Sequence, residues 1–147
     1  MIVYLASDHA GFELKKQLKN FLTKKGYEVE DMGPFTFKAR DDYPDFMHPL
    51  SKMISMKSDE ARGIIIGGSG QGEGMVANRH KGVRSAVYYG GKPEIVRISR
   101  EHNDSNVLAI GARFVKKREV FKAVDVWLKE PFSKAARHVR RLKKLDK

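Results

Sequence analysis

The sequence predicts an α/β protein whose parallel sheet is covered by helices on both faces. Three observations predict it. Short β-branched and apolar runs alternate with longer stretches of helical periodicity along the whole chain. The run Ile64-Ile65-Ile66 is apolar without alternation, as befits a strand buried on both faces. That run opens directly into five glycines in eight residues, Gly67 to Gly74, which marks a sharp strand-to-helix turn. At 147 residues, with no linker, repeat or low-complexity segment, the chain reads as a single domain over 1–147.

The elements follow in order. Ile2 to Ala6 is the first strand, and the opening residues read as this strand rather than as a secretory leader. Leu14, Leu18, Phe21 and Leu22 then mark one face of a helix that stops at Gly26. Tyr27 to Met32 is the second strand, followed by a polar loop over 33–43. A helix starting at Pro44 or Asp45 carries Phe46, Leu50, Met53 and Ile54, with Pro49 expected in its first turn. After the third strand, Met75-Val76-Ala77 resumes an apolar pattern, so a helix begins inside the glycine run. Val83 to Tyr89 is the fourth strand. Glu94 to Glu101 is a helix with Ile95 and Ile98 expected inward. Val107 to Ala112 is the fifth strand. Arg118 to Lys129 is a helix with Phe121, Val124, Trp127 and Leu128 apolar, and a basic helix from about Ser133 closes the chain.

Strand, glycine loop and helix start together aim backbone N–H groups at one point, a seat for an anion or for an oxyanion formed in a reaction. The common nucleotide motifs do not fit. A P-loop needs Lys followed by Ser or Thr after its last glycine, and none follows. The nearest dinucleotide pattern starts at Gly72 and reaches Ala77. The strand after it ends in Tyr88-Tyr89-Gly90, without the acid that would hold a ribose. Glu73 is the unusual residue in the loop. It is either a first-turn carboxylate favoured by the helix dipole or a base beside an oxyanion hole.

Composition narrows the classes further. No cysteine is present, so disulfides and thiol catalysis are excluded. No long apolar run suggests a membrane span, and a cytoplasmic location is expected. The net charge of +11, concentrated in Ser133 to Lys147, favours anionic partners. A basic nucleic-acid-binding module is the alternative from another class. The tail lacks interleaved aromatics for stacking on bases, so no specific nucleic-acid partner is expected.

In parallel sheets, sites form outside the carboxyl ends of the strands. Asp8, His9, Glu73, His102, Asn103 and Arg113 are expected to gather at one such edge. Asp8 has a second reading as the N-cap of the first helix. A zinc site from Asp8, His9 and His102 is disfavoured by the long spacing and the missing thiolate, and no metal is assigned.

Several segments together are similar to one family. They are Ser7-Asp8-His9-Ala10-Gly11-Phe12, Asp42-Tyr43-Pro44, Gly67-Gly68-Ser69-Gly70-Gln71-Gly72-Glu73, Ala77-Asn78, Arg100-Glu101-His102-Asn103-Asp104 and Arg137-His138. They resemble the type B ribose-5-phosphate isomerases, within a superfamily that includes galactose- and allose-6-phosphate isomerases. The match runs through nearly the whole chain in order. The resemblance implies a Rossmann-like three-layer α/β/α sandwich with a five-stranded parallel sheet. It implies no cofactor, and a homodimer, or a tetramer of paired dimers, whose active sites lie at the subunit interface. It also implies an aldose–ketose isomerase of ribose 5-phosphate and ribulose 5-phosphate, with a six-carbon phosphosugar as the alternative substrate.

Site roles carry over position by position. Many members place a catalytic Cys where this chain has Gly67. A second subgroup uses a Glu at the end of the glycine loop, and Glu73 stands there. His102 matches the residue that opens the sugar ring, with Asp8 nearby. Gly68, Ser69, Gly70, Gln71 and Gly72 match the backbone pocket for the enediolate. His9, Asn103, Arg113, Arg137 and Arg141 match sugar and phosphate contacts, and Tyr43 a tyrosine near the sugar. Residues 33–41 and the strongly basic C-terminal end depart from the family pattern. The chemistry suits the residue types: isomerisation needs a carboxylate base, donors for the enediolate and a ring-opening acid/base. Phosphate suits the fixed fork of Arg.

Overall fold

The computed structural model describes residues 1–57 and 60–146. The elements run β1 (Ile2–Ser7), α1 (Phe12–Lys24), β2 (Glu28–Asp31), α2 (Pro44–Met56), β3 (Ala61–Gly67), α3 (Gln71–Ala77), β4 (Ser85–Tyr88), α4 (Glu94–Asn103), β5 (Val107–Gly111), α5 (Lys117–Lys129) and α6 (Ala136–Leu142). The five strands form one sheet in the order β2-β1-β3-β5-β4, with every pairing parallel.

The period-2 alternation of strand side chains divides the core into two halves. Val3, Leu5, Ile64, Ile66, Leu108 and Ile110 point to one face. There they meet Leu18 and Leu22 of α1, Val96 of α4 and Val120, Val124 and Trp127 of α5. Tyr4, Ala6, Ile65 and Ala109 point to the other face and meet Met47, Leu50 and Ile54 of α2 and Ala77 of α3. Burial on both faces is why β3 reads as an unbroken apolar run.

Several boundaries differ from the sequence expectation. β3 begins at Ala61, because its early residues pair with Ile2 to Tyr4 although Arg62 and Gly63 carry no apolar signal. β4 is confined to Ser85–Tyr88, and the basic helix starts at Ala136 rather than Ser133. Pro49 lies inside α2 rather than in its first turn, on an exposed position. Ile95 is 57% exposed, and the residue of that turn which enters the core is Val96.

One buried cation fastens the fold near the site. Lys15 is 1% exposed, and its ammonium donates to Asp31 at the end of β2 and to the carbonyl of Pro34 at 2.8 Å. Burial lowers its pKa, and the bond to Asp31 opposes that effect. Truncating one partner strands the other. Lys15→Ala is therefore expected to cost about 3 kcal/mol, measured as a lower urea midpoint. Lys15→Met, which refills the volume, should recover part of that loss.

Candidate active site

The carboxyl ends of three adjacent strands build a cleft of about 390 Å³ lined by Asp8, His9, Ala10, Tyr43, Gly68, Ser69, Gly72, Glu73, Arg113 and Phe114. Asp8 follows β1. Its Oδ1 accepts the N–H groups of Ala10 and Gly11 at 2.8 and 3.1 Å, which shapes the turn into α1. The helix itself starts at Phe12 with Gly11 at the N-cap position, so Asp8 caps the turn rather than the helix. Its carboxylate stays 6% exposed beside Glu73.

The loop after β3 is set by close approach. Gly70 has φ +77°, and a Cβ there would lie 3.0 Å from the backbone N of Gly111. The N–H groups of Gly68 and Ser69 donate to no other group among the described residues, so they remain available to a ligand. Arg113, just past β5, lies over Gly68, its Nη1 3.2 Å from where a Cβ would stand. The Tyr43 ring covers Gly72 in the same way, at 2.8 Å. Gly70 ends the loop and Gln71 opens α3, and neither lines the cleft. Gln71 is exposed, and its N–H bonds the Ser69 hydroxyl at 3.3 Å.

Glu73 sits in the first turn of α3, yet it is 4% exposed. Its carboxylate fills the space beside the Gly67 Cα, and any Cβ at position 67 would land on it. Burial raises the Glu73 pKa above the usual carboxylate range. The amides of Glu73 and Gly70 pull the other way, and the neighbouring Asp8 charge adds to the rise. A carboxyl group held in this way suits proton transfer at neutral pH.

The predicted site residues do not all meet. His102 and Asn103 end α4, which runs back antiparallel to the strands, so they lie at the opposite edge of the sheet. The register shows this: the Asn106 carbonyl accepts the N–H of Gly63 at the start of β3, whereas Gly67 pairs with Gly111 at its end. Those ends are ~13 Å apart. A residue that precedes a parallel strand lies at its amino edge, so His102 and Asn103 do not share the carboxyl edge expected for them. Asp104, left-handed at φ 46°, closes α4 and accepts Arg84 at 2.7 Å and Arg100 at 2.8 Å.

The His102 ring lies against that of His138 of α6, tilted by 45° at 4.4 Å between ring centroids. Arg137 donates to His138 at 3.1 Å, and Arg137 and Arg141 are exposed, one helical turn apart. Burial, then the charges of His102, Arg137 and Arg141, hold the His138 pKa below its usual value. His48 and His80 pair with each other at 2.9 Å, outside the cleft. The cleft thus holds Asp8, His9, Tyr43, Gly68, Ser69, Gly72, Glu73 and Arg113. His102, Asn103, Arg137 and Arg141 lie apart from it.

One residue in the cleft and one behind it carry no signal in the sequence. Phe114, 66% exposed, lies at the rim. Asp41 binds His9 from behind, its side chain 5% exposed. The ligand atoms of Asp8, His9 and Asp41 all fall within 4.8 Å, the spacing a metal would need. The Asp41 and Asp8 oxygens there already serve His9 and the α1 turn.

A parallel α/β sandwich with a buried carboxylate beneath a glycine loop, and an Arg beside it, defines a site for acid/base work on a small anion. The chain matches the Ribose/Galactose Isomerase model over residues 3–145 and belongs to that family. Its relatives include ribose-5-phosphate isomerase B of Mycolicibacterium paratuberculosis, 40% identical over 142 residues, covering 97% of this chain and 87% of the relative. A probable ribose-5-phosphate isomerase B of Mycoplasma genitalium is 41% identical over 143 residues, covering 97% and 92%. The solved Mycoplasma genitalium enzyme with bound ribulose-5-phosphate superposes with a TM-score of 0.93 at 40% identity, covering 98% of this chain and 93% of that one.

Burial of Glu73 makes stability depend on pH. With its folded pKa raised, the folded state binds the proton more tightly than the unfolded chain does. The contribution is complete below the unfolded value, about 4.3, and is lost as pH rises through the raised folded value. Glu73→Gln, neutral at every pH, is expected to melt above the wild type at pH 7. The gap should close at about pH 4, as read by thermal scans at both values.

Proposed function

We propose that the chain interconverts ribose 5-phosphate and ribulose 5-phosphate as an aldose–ketose isomerase working through an enediolate. The observation that carries the reading is the Glu73 carboxylate. It lies buried beside Gly67, under a loop whose Gly68 and Ser69 N–H groups face no other partner among the described residues. In the open-chain sugar, Glu73 takes the proton from the carbon next to the carbonyl and returns it to the neighbouring carbon. The loop amides receive the charge that develops on oxygen, where preorganised donors act most strongly. His102 and Asp8 exchange the protons that open the ring, and Tyr43 covers the sugar. His9, Asn103, Arg113, Arg137 and Arg141 hold hydroxyls and phosphate. The chemistry is proton transfer between side chains and substrate, so no cofactor is assigned. A cytoplasmic setting suits such a substrate. Among the described residues, no helix is long and apolar enough to cross a membrane.

The reading requires a homodimer. His102, Asn103, Arg137 and Arg141 lie at the far edge of their own sheet, so a second copy has to bring them to the cleft. Ribose 5-phosphate, tested within a panel of five- and six-carbon sugar phosphates by proton NMR, should turn over fastest. A six-carbon substrate preferred over it would reassign the sugar.

Two variants test the base. Glu73→Gln is expected to lower kcat by about 10³-fold with phosphosugar binding kept within a few-fold. Gly67→Ala should fold but displace the carboxylate, lowering kcat by about 10²-fold. Near-normal turnover in either variant would remove Glu73 from the mechanism.

Shared sites make a second prediction. Inactive Glu73→Gln protein mixed with inactive Arg137→Ala/Arg141→Ala protein should regain activity as subunits exchange. The heterodimer then has one site with an intact Glu73 from one chain and an intact Arg pair from the other. Exchange seen by native mass spectrometry without recovered activity would mean that each chain completes its own site.

A further inference from the structure

We infer that Asp41 is a positioning residue that fixes the ring of His9 for substrate binding; the inference rests on reading the cleft as the phosphosugar site. Asp41 belongs to the 33–43 segment, which the fold ties down at its start. The Gly33 carbonyl accepts the Ser7 N–H at 3.1 Å, the Pro34 carbonyl accepts Lys15 at 2.8 Å, and the Phe37 ring meets Phe12 edge-on at 5.9 Å. The segment then returns to the cleft with two side chains two residues apart. Tyr43 lies over Gly72, and Asp41 stands behind His9.

The Asp41–His9 contact is double and uses one oxygen. Asp41 Oδ1 accepts the His9 backbone N–H at 3.0 Å and bonds His9 Nδ1 at 2.7 Å. A carboxylate accepts only, so Nδ1 carries the proton, and the ring is locked against its own backbone. The other ring nitrogen, Nε2, has no hydrogen-bond partner among the described residues, and His9 lines the cleft. Nε2 is therefore the atom presented to a ligand. Asp41 does not line the cleft, and its Oδ2 has no hydrogen-bond partner among the described residues. Leaving a polar group buried with one partner is tolerable only if that partner is well placed. Asp41 thus acts on the substrate through His9 alone.

The test has two arms on the full chain. In the first, histidine is labelled with ¹⁵N, His9 is assigned by its loss in His9→Ala, and two-bond spectra are taken without ligand. The wild type should show His9 protonated at Nδ1. Asp41→Ala should move the ring toward the Nε2–H tautomer, and Asp41→Asn, which keeps an acceptor oxygen, should retain much of the wild-type pattern. In the second arm, Asp41→Ala should raise the KM for ribose 5-phosphate about 10-fold with kcat little changed, the pattern of lost ground-state and transition-state binding alike. The double variant with His9→Ala should bind no worse than His9→Ala alone. Unchanged His9 spectra in Asp41→Ala, or KM effects that multiply in the double variant, would overturn the inference. If Asp41→Ala does not fold, Asp41→Asn decides: its KM must fall between the wild type and His9→Ala. If the wild type isomerises no sugar phosphate, the proposed function fails, and the spectra still judge Asp41 and His9.

Discussion

The arrangement depends on one packing relation: Gly67 has no side chain, and the Glu73 carboxylate occupies the space left beside it. A carboxylate is normally driven to solvent. Here the glycine loop turns the first turn of α3 back toward the end of β3 and buries the group to 4% exposure. The cost of that burial appears as the raised pKa, and a raised pKa is what a carboxylate needs to exchange protons near neutrality. In the proposed mechanism, packing and reactivity are therefore the same fact. A methyl group at position 67 would disturb both at once.

Topology decides how much of the site one chain can supply. In a parallel sheet each helix returns to the amino edge before the next strand begins. Asp8, the glycine loop and Arg113 follow strands and share the carboxyl edge, whereas His102 and Asn103 precede β5 and fall at the other edge. The α4 terminus is held there firmly. Arg100, 4% exposed, bonds Asp104 and the Ser105 carbonyl, and Ser133 ties the segment leading to α6 back to the Glu101 carbonyl at 3.0 Å. No small rearrangement within one chain moves His102 to the cleft. In the proposed dimer, symmetric pairing of two chains would supply each cleft with a partner's edge, the simplest closed assembly.

The strands, the helices and the glycine loop were legible because apolar periodicity and glycine clustering are local signals. Glu73 was legible too, as a charge where a turn needs none. What stayed hidden depends on contacts far apart in sequence. Asp41 is one acid among several in a polar loop until the fold brings it 2.7 Å from His9, 32 residues away. Lys15, next to Lys16, looks like one more solvent-facing lysine until Asp31 and Pro34 surround it. Ile95 and Val96 are equally apolar in sequence, and only the angle at which α4 meets the sheet selects Val96 for the core. The edge assignment of His102 failed for another reason. A helix between parallel strands runs back to the amino edge, so His102, which precedes β5, lies there by topology.

Charge couples the cleft to the opposite edge of the sheet. The cleft of one chain sets the carboxylates of Asp8 and Glu73 against the single guanidinium of Arg113. His9, the other basic group there, is already committed to the Asp41 carboxylate through Nδ1. Bringing a phosphate into that field adds negative charge where negative charge already prevails. Arg137 and Arg141 stand exposed at the opposite edge, and neither has a carboxylate partner among the described residues. The chain thus carries an acidic cleft at one edge and an unneutralised basic helix at the other, within a net charge of +11. In the proposed dimer, one imbalance offsets the other. The partner's helix supplies the cations that the phosphate needs, and the carboxylates remain free to move protons.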